Sequence, residues 1–276
     1  MAASAAETRF AGRVAIVTGA SRGIGAALAQ RLAAEGADLL LVARTLDHHD
    51  HLRGSLHETA EICRAFGVRA EPCVADLTDP ESRSRIVPAA LDAFGRVDVL
   101  VNNAAAAMYG ALTTYPAKRV RVSMEVNVVT PIELAQQVLP GMIERGEGWI
   151  VNVSSATAHH LAGPPYGPGG QTMGVYGASK AALNRITNAL AAELHGTGVR
   201  VNSVQPRAAV MSEGAQALVG DRVTADQIEP MEAMVEATLA LCDCAADDTG
   251  AIHVSLDLIA SRNMTVRALD GSPLLT

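Results

Sequence analysis

Arg13-Val14-Ala15-Ile16-Val17-Thr18 runs directly into Gly19-Ala20-Ser21-Arg22-Gly23-Ile24-Gly25, and Ala26 to Glu35 then follows a helical period that stops at Gly36. The first six residues read as a buried strand. Strand, glycine turn and helix in this order give a glycine fingerprint its meaning. The glycines permit a tight turn, close approach of a pyrophosphate and close packing of helix on strand. The free N–H groups and positive dipole end of the following helix would face the phosphates.

A second strand, Asp38 to Ala43, follows. Sites for NAD usually place an acid at its end, to hold the ribose 2′-hydroxyl. Here Ala43 holds that place, Arg44 and Thr45 come next, and Arg22 in the glycine turn can reach the same region. Two guanidinium groups without a carboxylate suit a 2′-phosphate, so NADP(H) is favoured over NAD(H).

The strand–helix alternation continues to the C-terminus. Strands are predicted at 69–74 (before Asp76-Leu77), 97–101 (before Asn102-Asn103-Ala104-Ala105), 149–153 (before Ser154-Ser155), 199–204 (before Gln205-Pro206-Arg207) and 251–255. Helices are predicted at 58–66, at 80–94 with a kink or early break at Pro88, at 117–139, at 175–195 and at 227–242. This pattern predicts an α/β fold: one Rossmann-type, doubly wound parallel sheet of about seven strands with right-handed crossovers. Ligands should bind at the carboxyl ends of the strands, where the glycine turn, Asp76, Asn103, Ser155 and Pro206 all fall. With no linker and no repeat, residues 1–276 read as a single domain, with a flexible N-terminus at 1–9 and an irregular tail at 256–276.

Within the helix predicted at 175–195, Tyr176 and Lys180 lie one turn apart on one face. A free tyrosine titrates near pH 10. An ammonium one turn away favours the phenolate, so the pair can pass a proton to or from an alcohol oxygen. Asn127, a polar residue in an apolar run, either kinks its helix or serves a site.

Composition narrows the alternatives. The chain has 276 residues, 49% of them apolar, and a formal charge of −7 without a sustained basic run. Nucleic acid and anionic membrane are therefore not expected as partners. No apolar stretch reaches the ~18 residues of a membrane span, and residues 1–9 do not form a secretory signal. Cys63, Cys73, Cys242 and Cys244 form no C-x-x-C pair and read as reduced thiols of a cytoplasmic protein. His48, His49, His51 and His57 read as a solvated loop rather than a metal site, and no metal is expected.

Together these residues resemble the short-chain dehydrogenase/reductase family across about residues 10 to 255. Thr18-Gly19-x-x-x-Gly23-x-Gly25 looks like its cofactor turn and Asn102-Asn103-Ala104 like its N-N-A motif, with Ala105 where glycine is usual. Asn127, Ser155, Tyr176 and Lys180 match its catalytic tetrad in order. The loop from Arg44 to Thr59 and the Pro206-Arg207-Ala208-Ala209 turn look like the hydroxysteroid dehydrogenase-like subgroup. The resemblance implies that Tyr176 is the acid/base and that Ser155, rather than Ser154, holds the substrate oxygen. Lys180 lowers the Tyr176 pKa and holds the nicotinamide ribose, and Asn127 holds a water that links Lys180 to solvent. It also implies a cofactor site of Gly19, Ser21, Arg22, Gly23, Ile24, Gly25, Arg44, Asp76, Leu77, Asn103, Ala104, Tyr176, Lys180, Pro206 and Ala209.

Three departures stand out. The segment between Ser155 and Tyr176 is long and should roof the substrate pocket. Met211 stands where a threonine usually meets the carboxamide, with Ser212 beside it, and the segment to Asp226 is short, which opens the pocket. Leu256-Asp257-Leu258 replaces a glycine-rich end. The expected activity is NADP(H)-dependent interconversion of a ketone and a secondary alcohol, on a bulky apolar or cyclic substrate. A 3-oxoacyl-thioester reductase is the alternative, and a cofactor-binding sensor without catalysis a third. The small and apolar residues of the helices at 117–139 and 175–195 suit pairing across a two-fold axis, as a homodimer or homotetramer.

Overall fold

The computed structural model describes residues 8–47, 53–166, 170–220, 224 and 227–274. Seven strands form one parallel sheet: β1 (Val14–Thr18), β2 (Asp38–Ala43), β3 (Ala70–Val74), β4 (Val99–Asn102), β5 (Gly148–Val153), β6 (Val199–Gln205) and β9 (Ile252–Val254). Their order is β3-β2-β1-β4-β5-β6-β9. Register is set by pairs such as Val17 with Leu41 on one side and with Val101 on the other. The order reverses between β1 and β4, and a crevice is expected at the carboxyl ends of those two strands.

Period-two alternation divides the strand residues between two apolar layers. On one face Val17, Leu41, Val101 and Val151 pack under α1 (Gly23–Ala34) and α9 (Met231–Leu241). On the other, Ile16, Leu40, Leu100 and Ile150 pack under α4 (Ile86–Phe94), α6 (Thr130–Arg145) and α7 (Gly174–Glu193). α2 (Leu56–Arg64) is N-capped by Ser55, whose hydroxyl accepts from the Glu58 N–H. All four cysteines are free.

Several boundaries differ from the sequence prediction, each for a backbone reason. The helix predicted at 80–94 is two helices, α3 (Pro80–Ser84) and α4, and the break falls at Arg85 rather than at Pro88. Pro88 sits in the first turn of α4, where a missing N–H costs nothing, so the interruption lies one turn earlier. The helix predicted at 117–139 is α5 (Ala117–Met124), a π-helical turn (Glu125–Val129) and α6. Pro131 has no N–H, which leaves the Asn127 carbonyl without its ordinary i+4 donor.

The helix predicted from 227 begins at Met231. Ile228–Glu229 is a strand, β8, because Pro230 pushes Glu229 into extended backbone. β8 pairs in parallel with β7 (Ala209–Val210), and between them lies α8 (Glu213–Val219). The tail is not irregular from 256: Ser255–Ser261 is a helix, α10, and Arg267 bridges to Pro273. Nor is Arg9 loose, since its guanidinium pairs with Asp243 beside the fully buried Phe10. His48, His49 and His51 lie outside the described residues. His57 is exposed and paired with Asp47, and no three metal-ligating side chains converge among the described residues.

Candidate active site

The glycine turn and the segment after β4 are locked together. Thr18 Oγ1 accepts from the N–H groups of Asn103 and Ala104, both at 3.0 Å, and Asn103 Nδ2 donates to the Thr18 carbonyl at 2.8 Å. Gly19 sits at φ +70°, and a Cβ there would come within 2.9 Å of the Ala104 Cα. A Cβ on Gly25 would lie 2.2 Å from the Gly19 carbonyl oxygen. These approaches require glycine, and Arg22, the residue before α1, does not cap the first N–H groups of the helix.

One of those groups has a partner that sequence reading did not find. The Gly23 N–H donates to the Glu213 carboxylate at 3.1 Å. Ser212 packs on the same glycine and caps α8 by accepting from the Ala215 N–H. Ser212, rather than Met211, therefore faces the glycine turn.

At the end of β2 the Arg22 guanidinium donates to the carbonyls of Arg53 and Gly54, at 2.9 and 3.0 Å, and so fixes the approach to α2. Arg44 is exposed and close enough to Asp76 to help lower its pKa. The larger cause is Thr78, whose N–H and hydroxyl both donate to the Asp76 carboxylate. Leu77 is buried, and its carbonyl accepts from Arg83 and Thr130. Arg83, 1% exposed, also pairs with Glu125 and Glu133 and so anchors the π-helical turn that carries Asn127. Pro206 follows β6. The Arg207 N–H beyond it donates to Glu229, the Arg207 side chain pairs with Asp257, and Ala209 begins β7.

Tyr176, Ser179 and Lys180 lie on the first turns of α7. Asn127 Nδ2 donates to Ser179 Oγ at 2.9 Å, and Asn127 Oδ1 accepts from the Ala106 N–H at 2.8 Å. The Asn127 side chain thus joins three elements, which leaves its carbonyl, rather than its amide, for any bound water. Lys180 is 1% exposed, and its Nζ donates to the Val153 carbonyl at the end of β5, at 2.7 Å.

Ser155 is hydrogen-bonded to Tyr176. Ser154, by contrast, is 4% exposed, and its hydroxyl has no hydrogen-bond partner among the described residues. The Tyr109 ring meets Tyr176 edge to face, with centroids 5.8 Å apart. Tyr166 is exposed, its ring beside Gly163.

The expected lowering of the Tyr176 pKa by Lys180 is not what the structure gives. Burial holds the phenol well above its ordinary value, Tyr109 adds to that, and the Ser155 hydroxyl pulls the other way. Burial also pushes the Lys180 amine down, to about 8. Both shifts favour the uncharged forms, because burial penalises the charged ones.

A family model described as short chain dehydrogenase matches residues 13–222. The chain belongs to the short-chain dehydrogenase family. Among relatives of this short-chain dehydrogenase, hydroxysteroid dehydrogenase-like protein 2 of Bos taurus is 30% identical over 278 residues, which cover 97% of this chain and 63% of that protein. A short chain dehydrogenase structure from Mycobacterium thermoresistibile superposes with a TM-score of 0.81 at 26% identity, covering 96% of this chain and 94% of the other. L-sorbose reductase from Gluconobacter frateurii, solved with NADPH and L-sorbose, superposes with a TM-score of 0.75 at 26% identity, covering 90% of this chain and 97% of the other. Members of the family bind a nicotinamide dinucleotide. The glycine turn fits such a group at Gly19 and Gly25, where no Cβ could be accommodated, although the Gly23 N–H at the start of α1 is held by Glu213.

Proposed function

We propose that the chain is an NADP(H)-dependent oxidoreductase that interconverts a ketone and a secondary alcohol, with a bulky apolar or cyclic substrate. One observation carries the reading: Tyr176, Ser155 and Lys180 meet at the carboxyl end of β5, with the Tyr176 phenol hydrogen-bonded to a serine hydroxyl.

When bound, the nicotinamide supplies or accepts the hydride. The residues handle the oxygen and the proton. In reduction Tyr176 gives its proton to the carbonyl oxygen, and the Ser155 hydroxyl donates to the same oxygen as charge develops there. Lys180 would hold the nicotinamide ribose hydroxyls and offset the charge left on Tyr176. In oxidation the Tyr176 phenolate takes the alcohol proton.

The apolar substrate is supported by the walls beside Tyr176. The segments before α5 and before α7 are joined by the bond from the Gly110 N–H to the Thr172 carbonyl. They present Tyr109, whose ring meets Tyr176, and exposed Leu112, which packs on Gly174 at the start of α7. NADP(H) is supported by Ala43 at the end of β2 and by exposed Arg44 beside it. A homodimer or homotetramer is supported by α5, which buries only Ser123 of its eight residues.

Oxidation of NADPH and NADH should be followed with cyclic ketones, aliphatic ketones and 3-oxoacyl thioesters. The expected result is turnover of cyclic ketones with NADPH favoured about tenfold or more, the scale of one charge-assisted phosphate contact. Preference for NADH, or turnover of thioesters alone, contradicts this reading.

A further inference from the structure

Ser155 opens a short 3-10 turn, Ala156–Ala158, that leads from β5 toward the long segment before α7. Two groups of one residue in that turn converge on its hydroxyl. The Thr157 N–H donates to Ser155 Oγ at 3.2 Å, and the Thr157 hydroxyl donates to the same oxygen at 2.9 Å. The turn is itself held against α7: a Cβ on Gly177 would lie 2.4 Å from the Thr157 carbonyl oxygen. Gly177 lacks that Cβ, so the turn sits directly on the helix residue next to Tyr176. Thr157 therefore has a fixed place relative to both Ser155 and Tyr176.

A serine hydroxyl has one proton to donate and two lone pairs to accept with. With both Thr157 donors directed at Ser155 Oγ, both lone pairs are used. With Thr157 donating through both groups, the one remaining Ser155 proton is left for the side where Tyr176 bonds to Ser155. We propose that Thr157 is a positioning residue for the ketone–alcohol step, holding Ser155 as a donor only, toward the substrate oxygen. This inference rests on the function proposed above.

The polarity has a chemical consequence. A carbonyl oxygen in the site receives two donors, the Ser155 hydroxyl and the Tyr176 phenol. An alcohol hydroxyl there has one acceptor, Tyr176, because Ser155 has no lone pair left. In reduction the carbonyl oxygen takes its proton from Tyr176 while Ser155 keeps its own; in oxidation the same proton returns to Tyr176. Without the Thr157 hydroxyl, Ser155 can turn its proton away and accept instead, which weakens its support of the developing charge.

The test is steady-state kinetics of Thr157→Val and Thr157→Ala beside Thr157→Ser, with the NADPH Kd and the pH profile of kcat/KM for each. Val and Ala keep the backbone donor and lose the hydroxyl; Ser keeps both. The expected result is a fall of about tenfold in kcat for Val and Ala, the scale of one hydrogen bond to a reacting group. NADPH Kd should be unchanged, and the Tyr176 limb of the profile should move to higher pH. Thr157→Ser should recover to within about twofold of the parent, because it restores the same donor. Val and Ala variants with parental kcat and an unmoved limb overturn the proposal. So does a Ser variant as slow as Val, or loss of NADPH binding in both Val and Ala, which would make Thr157 a structural prop. Tyr176→Phe run alongside separates the two levels: if it still turns over, the function reading itself has failed.

Discussion

Lys180 sets a trade between stability and chemistry at the scale of one residue. Its amine is 1% exposed and titrates near 8 instead of the ordinary 10.5. That depression corresponds to a folding penalty of about 3 kcal/mol when the amine is charged. The unfolded chain binds more protons than the folded one between those two values, so stability should rise with pH across that window. Below about pH 8 the whole penalty is present. Lys180→Met removes it but leaves the Val153 carbonyl without its donor, a loss of about 1–2 kcal/mol. Denaturant unfolding should therefore show the variant more stable by about 1–2 kcal/mol at pH 7. The order should reverse above pH 10.5, where the parent amine is neutral and still donates. A variant less stable at pH 7 contradicts the burial argument. Spacing along α7 made Tyr176 and Lys180 visible in the sequence. It hid the sign of the Tyr176 shift, because burial is a property of the packed helix and not of the pair.

At the scale of elements, the segment after β6 places α8 against the start of α1, and its Glu213 carboxylate holds the Gly23 N–H. That N–H belongs to the group expected to face the pyrophosphate. A bound pyrophosphate and this carboxylate would repel each other. Glu213→Gln should therefore tighten NADPH binding about 3- to 5-fold at low salt, the effect of one charge at a helix terminus. Titration of protein fluorescence with NADPH measures it; an unchanged or weaker Kd contradicts the placement of the pyrophosphate at Gly23. No sequence signal joined Glu213 to Gly23, since 190 residues separate them. Strands β1 and β4 were more legible, because buried β-branched runs followed by glycine or asparagine leave little choice. Helix interruptions were less so: Pro88 and Pro131 both lie within the first turn of a new helix, and the break precedes each of them.

Over the whole molecule the parallel sheet was readable from alternation, whereas the switch point between β1 and β4 shows only in the strand order. The joining of the chain ends was not. Arg31, 1% exposed in the middle of α1, pairs with Glu35 and with Glu236 of α9, while the Arg267 N–H after α10 donates to Glu236. In the sequence Arg31 looks like a surface residue of an amphipathic helix, and only the packing of α9 and the tail against α1 shows it to be interior. This network lies on the face of the sheet opposite α6 and α7, away from the proposed site at the carboxyl ends of β4 and β5. The central claim is that Tyr176 passes the proton there. The most direct measurement is Tyr176→Phe, with NADPH Kd and ketone turnover recorded on the same preparation. An NADPH Kd within about twofold of the parent with turnover reduced by at least about a thousandfold, the scale of a lost general acid, is the predicted result; turnover that persists within about tenfold of the parent would contradict it.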